Sequence, residues 1–235
     1  MSAITEGVGH NIRVYRKKTG LTLTELSAIV YKSKSTLSKY EKGEVSIDIE
    51  TLYELADALH IHVEQLLYTN PARVGIETAD SHPAFFSGVK QFYSYLFDGR
   101  TGKLMSSVFD VLSQSDNNQF KIMMYMNYKD FSTYQNCETT YYGFIEHYDS
   151  ITNIMLTNQN SPIEKASAQI LASYLDSDSK WGLWNGLSSR PLMPIAAKML
   201  FTKARLNGNE DIIEELKISK NDIRLLKLYN MLPVI

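Results

Sequence analysis

Residues 22–42, TLTELSAIVYKSKSTLSKYEK, describe two short helices joined by a tight turn. Thr22 opens the first: its hydroxyl can accept from an orphan backbone N–H while Glu25 reaches back, the T-x-x-E arrangement of a capping box. Leu23 or Leu26, followed by Ile29 and Val30, recur at a spacing of three and four, which predicts one buried face. Tyr31, Lys32 and Ser33 are polar enough for a turn, and Ser33 is a suitable N-cap for a second helix from Lys34 to about Glu41. That helix has apolar residues only at Leu37 and Tyr40. Its outer faces therefore carry Lys34, Ser35, Thr36, Ser38 and Lys39, and Gly43 ends it. Short hydroxyl and cationic side chains near a helix N-terminus can donate to base edges and to phosphates.

Outward from this stretch, further positions fall into an ordered set: Ile12, Tyr15 and Arg16; Leu21-Thr22 and Glu25-Leu26; Ser33, Leu37 and Glu41-x-Gly43; then Leu52, Ala56, Leu59, Ile61 and Leu66-Leu67. Residues 12 to 67, roughly a quarter of the chain, resemble the XRE (Cro/CI-type) helix-turn-helix family. The resemblance implies a five-helix, lambda-repressor-like DNA-binding domain, double-stranded DNA as partner, and a structural ion pair between Arg16 and Glu41. It also departs from the family. Leu23 stands where a phosphate-contacting Gln is usual, Tyr31 stands where Gly is favoured in the turn, and Lys32 replaces a small apolar residue. None of these removes the recognition helix, because its caps and core positions survive.

Charge is distributed to match. From His10 to Gly43 there are eight basic residues and two acidic ones, whereas Glu44 to Asn70 hold six acids and no Lys or Arg. A basic face and an acidic back favour approach to a polyanion in one orientation. The DNA-binding residues expected are Lys34, Ser35, Thr36 and Lys39 on bases, with Thr22, Ser33, Ser38 and Lys42 fixing register on phosphates. Two such heads in a homodimer would enter successive major grooves about 10 bp, or a multiple of it, apart.

At 235 residues the chain has room for a second domain. The expected division is a helix-turn-helix domain at 1–70, a linker at 71–84 rich in Pro and polar residues, and a regulatory or dimerisation domain at 85–235. Here Tyr, Phe, Met, Thr and Val become frequent and turn residues recur, so β-structure is predicted. The clearest piece is a hairpin around Asp98-Gly99-Arg100-Thr101-Gly102. Further strands follow in NNQFKIMMYMNYKD, in TYYGFIEHYD with SITNIMLTNQN, and in IEKASAQILASY with KWGLWNGLSS, while 191–204 fits either a strand or a helix, with strand preferred. Two helices close the chain, Asp211–Lys217 and Lys220 to about Tyr229. The fold class is therefore α+β: the helical head, then a mainly antiparallel barrel or sandwich ending in two short helices.

Tyr93, Tyr95, Tyr125, Tyr142, Phe144, Trp181 and Trp184 could line a cavity in a small barrel; an ordinary core or a dimer surface is the preferred reading of the same rings. An effector, a small molecule or a peptide, would use such a cavity. No catalytic motif is present, so no reaction and no cofactor are expected. The single Cys137 excludes an internal disulfide, and His60 and His62, two apart, do not share a helix face. With no run of about 18 apolar residues and no signal-peptide layout, the expectation is a cytoplasmic protein without a membrane partner. The function expected is a sequence-specific transcriptional regulator; the alternative is an antitoxin-like module that masks a partner protein and autoregulates through its head.

Overall fold

The structure, a computed structural model, describes residues 3–68, 84–116, 119–148, 150–171, 176–189, 192–206 and 210–234. The chain divides into two compact units, Met1–Gly75 with Lys129–Asn136, and Ile76–Tyr128 with Cys137–Ile235. Residues 71–83 of the expected linker lie outside the described residues, and Ala84 opens a 3-10 turn, Ala84–Phe86.

The first unit carries five helices: α1 (Ala3–Lys18), α2 (Leu23–Ile29), α3 (Lys34–Glu41), α4 (Ile49–Ala58) and α5 (Val63–Leu67). Their inward residues, Ile12, Tyr15, Leu26, Val30, Leu37, Tyr40, Leu55, Leu59 and Leu66 among them, form one core. Helices α2, α3 and α4 each begin on a side-chain cap, at Thr22, Ser33 and Asp48. Their C-terminal ends repeat a second device. In α1 to α4 the chain turns through a residue at positive φ, and the next N–H donates back to a carbonyl five residues earlier: Leu21 to Arg16, Lys32 to Ser27, Glu44 to Lys39 and Ile61 to Ala56. These are Schellman ends, which satisfy carbonyls the helix leaves open. Gly20 and Gly43 occupy two of the left-handed positions; Tyr31 and His60 occupy the other two.

Close approach of α1 to the end of α3 depends on Gly9 and Gly43. A Cβ on Gly9 would sit 2.2 Å from the Tyr40 carbonyl oxygen, and one on Gly43 would sit 2.6 Å from the Glu6 Cα. Asn11, buried on α1, donates from Nδ2 to the carbonyls of Leu66 (3.1 Å) and Tyr68 (2.7 Å), which ties the first helix to the last.

The second unit is a closed antiparallel barrel of eight strands in chain order: β1 (Gln91–Asp98), β2 (Lys103–Asp116), β3 (Gln119–Tyr128), β4 (Cys137–His147), β5 (Ile151–Asn158), β6 (Lys165–Leu171), β7 (Ser179–Ser189) and β8 (Leu192–Thr202). Of the barrel and sandwich expected, the barrel is found. It closes where β1 pairs with β8, Tyr93 opposite Thr202 and Tyr95 opposite Leu200, and closure removes the sheet edges that would otherwise invite aggregation. Of the 191–204 segment, which fits a helix or a strand by pattern, Leu192–Thr202 forms β8.

Alternation along the strands sorts the aromatic residues. Phe92, Phe109, Phe120, Ile122, Met124, Tyr141, Ile145, Ile154, Trp184, Met199 and Phe201 fill one interior core, with Phe92 stacked on Phe109 at 4.5 Å. Phe85 and Phe86 of the 3-10 turn join that core, and Phe86 packs against Phe92 (5.4 Å) and His147 (4.8 Å) at one end of the barrel. Of the rings that could have lined a cavity, only Trp184 belongs to the interior set. Tyr93, Tyr95, Tyr125, Tyr142, Phe144 and Trp181 sit at the alternate strand positions, outside the barrel interior, yet Tyr93, Tyr95 and Tyr125 are buried there and only Phe144 is exposed. Gly143 permits strand contact: a Cβ there would lie 1.9 Å from the Met155 carbonyl oxygen. Helices α6 (Glu210–Leu216) and α7 (Lys220–Tyr229) end the chain as expected.

Candidate nucleic-acid interface

The helix pair α2–α3 is held by local bonds that the sequence pattern specifies. Thr22 Oγ1 accepts from the Glu25 N–H (3.2 Å), and Glu25 Oε2 accepts from the Thr22 N–H (2.7 Å), so the capping box is complete. Acceptance from that backbone N–H, then from the Thr22 side chain, holds the Glu25 carboxyl below its ordinary value. Leu26 and Val30 are buried with Ser27, whereas Ile29, expected on the same face, is 48% exposed. At 100° per residue Ile29 lies about 60° off Leu26 on the side away from Ser27 and Val30.

The turn keeps the geometry that the family builds with glycine. Tyr31 takes φ 50° and is 93% exposed, so the bulky residue is accommodated by pointing its ring into solvent. A non-glycine residue in this region costs roughly 1–2 kcal/mol, which the two backbone bonds of the helix end offset.

Ser33 then caps α3, accepting from the Thr36 N–H at 3.0 Å. Its oxygen also lies 2.8 Å from the hydroxyls of both Ser35 and Thr36. Three of the expected DNA-binding residues thus share one hydroxyl cluster at the N-terminal turn of the recognition helix. Each hydroxyl has two lone pairs and a rotatable proton, so a phosphate or base acceptor can be served by turning a proton outward. Leu37 and Tyr40 anchor the helix inward, while Lys34 and Lys39 are exposed and Ser38 is half-buried. Lys42, the C-cap residue, makes an exposed pair with Glu44 at 3.7 Å, too long and too solvated to hold it away from a phosphate. The structure therefore brings Ser33, Lys34, Ser35, Thr36, Ser38, Lys39 and Lys42 onto one short rod with its caps at both ends; Thr22 sits at the start of the preceding helix.

Behind that rod the Arg16–Glu41 pair forms as expected. Arg16 Nε donates to Glu41 Oε1, Nη2 donates to Oε2 at 3.0 Å, and Nη1 donates to the Leu21 carbonyl at 2.9 Å. The two side chains are only 13% and 8% exposed. Hydrogen bonding to Glu41 raises the Arg16 pKa above its ordinary value, and burial opposes this without cancelling it. A forked, two-bond pair of this kind fixes direction as well as distance, so α1 sets the tilt of α3. Sequence reasoning missed Asn11 and the Gly9–Gly43 approach, which position α1 for this role; the signal was present only as a polar residue and a glycine inside an amphipathic helix.

Residues 12–66 match the helix-turn-helix family. No curated protein matches the chain. Among solved structures, the chain is similar to the clp gene regulator ClgR from C. glutamicum, with 31% identity over 27% of this chain and 83% of that one, at a TM-score of 0.27. It is similar to the restriction-modification controller protein C.AhdI from Aeromonas hydrophila, with 25% identity over 28% and 98% and a TM-score of 0.27. It is also similar to the S. venezulae BldD DNA-binding domain, with 26% identity over 28% and 100% and a TM-score of 0.27. Residues 12–66, about a quarter of the chain, are therefore an XRE-type helix-turn-helix region.

Proposed function

We propose that the protein is a sequence-specific regulator that binds double-stranded DNA as a homodimer in the cytoplasm, with the second unit serving dimerisation or sensing and no catalytic step in either unit. The observation that carries the reading is the outer face of α3: hydroxyl and cationic side chains on a helix capped at both ends and locked from behind by Arg16–Glu41. Lys34, Ser35, Thr36 and Lys39 read base edges. Thr22, Ser33, Ser38 and Lys42 bind phosphates and set register. The barrel interior is filled by its own side chains, which favours dimerisation over capture of an effector, small molecule or peptide, inside the barrel. Among the described residues no helix is long and apolar enough to cross a membrane.

The test is a binding titration against a selected duplex at several salt concentrations. Lys34→Ala and Lys39→Ala should each cost about 1–3 kcal/mol of specific binding and relax preference at one base position. Lys42→Ala should weaken all sequences alike and flatten the salt slope by about one unit. Undiminished specific binding by the Lys34→Ala, Lys39→Ala double variant would show that this face does not read DNA. A stoichiometric co-purifying protein that occludes α3 would instead favour the antitoxin-like alternative.

A further inference from the structure

Six of the twenty large apolar side chains exposed among the described residues fall within fourteen consecutive positions: Ile218, Ile223, Leu226, Leu228, Tyr229 and Met231, each 42–66% exposed. On α7, Ile223 and Leu226 lie about 60° apart and share one face, whereas Leu228 falls on another side, so the exposed apolar face of the helix is that of Ile223 and Leu226. The helix is firmly built. Ser219 Oγ accepts from the Asp222 N–H (3.1 Å), Asp222 accepts from the Ser219 N–H (2.8 Å), and Asn230 closes the helix at φ 53°. Its orientation on the barrel is fixed by buried Leu225 and by Lys198, whose ammonium donates to Asp222 (3.1 Å) and lies 5.0 Å from the Trp181 ring centroid. A ten-residue helix is marginal without tertiary burial, and in this one Leu225 alone is buried by its own chain.

Resting on the dimeric reading above, we propose that the α6–α7 segment is the surface that joins two copies of this chain, with the Ile223–Leu226 face of α7 packed against its two-fold mate. Charge on the two helices is arranged for a second copy. Lys220, Arg224 and Lys227 recur at helical spacing and form an exposed basic stripe beside Ile223, while Glu214 and Glu215 are exposed on α6, Glu214 in an exposed pair with Lys217 that a competing cation can replace. A two-fold axis sets the basic stripe of one copy on the acids of the other and does the same in reverse, so one patch is complementary to itself.

The experiment measures the mass of the full chain in solution without DNA, by light scattering and sedimentation over a concentration series. The wild type should be a dimer, and Ile223→Asp with Leu226→Asp should raise its dissociation constant by roughly 30-fold or more with the far-UV spectrum retained. A second pair spares the apolar residues and so does not threaten the fold. Lys220→Glu with Arg224→Glu and Lys227→Glu should self-associate weakly, as should Glu214→Lys with Glu215→Lys, and mixing the two should restore a mixed dimer. A monomeric wild type, a dimer indifferent to the Asp pair, or a monomer that uses α7 to bind phosphatidylserine vesicles would each overturn the proposal. Because mass is read without nucleic acid, a dimer unable to bind any duplex would defeat the DNA reading alone, and a monomer that still binds half-sites would defeat this proposal and the homodimer it rests on while leaving DNA binding intact.

Discussion

In the helical unit each of the first four helices ends on a bond that spans five residues, such as Lys32 to Ser27, whereas the barrel closes only when Tyr93 finds Thr202. The first kind of structure is assembled from signals that a short window of sequence contains. The second depends on eight strands keeping register together, so an error in one strand is passed to its neighbours. The comparison predicts that a damaged cap or turn costs the helical unit one increment, while a damaged strand pairing costs the barrel its closure.

The largest test puts one methyl group into each unit at a backbone contact. Gly143→Ala places a Cβ 1.9 Å from the Met155 carbonyl oxygen between β4 and β5, and Gly9→Ala places one 2.2 Å from the Tyr40 carbonyl oxygen between α1 and α3. Neither contact can relax by moving a side chain end, so each should cost about 3 kcal/mol or more. For Gly9→Ala this loss outweighs the roughly 1 kcal/mol that alanine gains as a helix former. The two can be separated optically. Both tryptophans, Trp181 and Trp184, lie on β7, so tryptophan fluorescence follows the barrel and helical ellipticity follows chiefly the helices. Gly143→Ala should move the fluorescence transition, and Gly9→Ala should move the ellipticity transition alone. A Gly9→Ala variant whose fluorescence midpoint moves as far would show that the units do not unfold separately, and the contrast would fail.

Next in size is Glu41→Ala. It leaves the Arg16 guanidinium, 13% exposed, with only the Leu21 carbonyl as partner, and removal of one member of a buried pair typically costs about 3–5 kcal/mol. Replacing both residues by apolar ones of similar volume should cost much less, since no charge is then stranded. Urea titration of the two variants checks the order; equal losses would mean that the pair is structural ballast rather than an anchor for α3.

The same difference explains what could be read from the sequence. Thr22 with Glu25, Ser33, Asp48 and Gly43 each announce a helix end within a few residues, and the Arg16–Glu41 pair came with the family resemblance. The turn at Tyr31 was readable as a departure from glycine; that the backbone keeps positive φ there was not, because a bulky residue argues against it locally and only the flanking Schellman bonds enforce it. In the barrel, strand positions were legible from alternation and from the Asp98–Gly102 turn. Closure was not, because a closed and an open stack of the same strands share one alternating pattern. For the same reason inward and outward rings could not be told apart: Tyr93 and Phe92 are neighbours of similar character, and only the pairing of Phe92 with Phe109 in the interior assigns them. Ile29 was misplaced because an apolar residue at the edge of a short helix satisfies the pattern whether or not it is covered.

A smaller effect tests whether strain in the helical unit stays local. Tyr31→Gly relieves the left-handed penalty of roughly 1–2 kcal/mol but adds freedom to the unfolded chain, for a net gain of about 0.5–1 kcal/mol. The gain should appear in the helical transition and leave tryptophan fluorescence unmoved. No gain would indicate that the exposed ring makes a stabilising contact of its own. If DNA affinity falls while stability rises, Tyr31 belongs to the interface as well as to the turn.

The smallest effect concerns acid. Hydrogen bonds from Thr22 hold the Glu25 carboxyl below its ordinary value of 4.5. A carboxyl depressed in the folded state contributes stability that is fully present above the unfolded value and is lost as pH falls through the folded one. The capping box should therefore help the helical unit above about pH 4.5 and fade below it. Glu25→Gln keeps an acceptor for the Thr22 N–H without the charge, so it should be slightly less stable than the wild type near neutrality and should converge with it in acid. Because Glu25 is fully exposed, salt should narrow the gap as well. A gap that stays constant from neutral to acid pH would place the benefit in the hydrogen bond and not in the charge, and α2 would then be capped as firmly in acid as at neutrality.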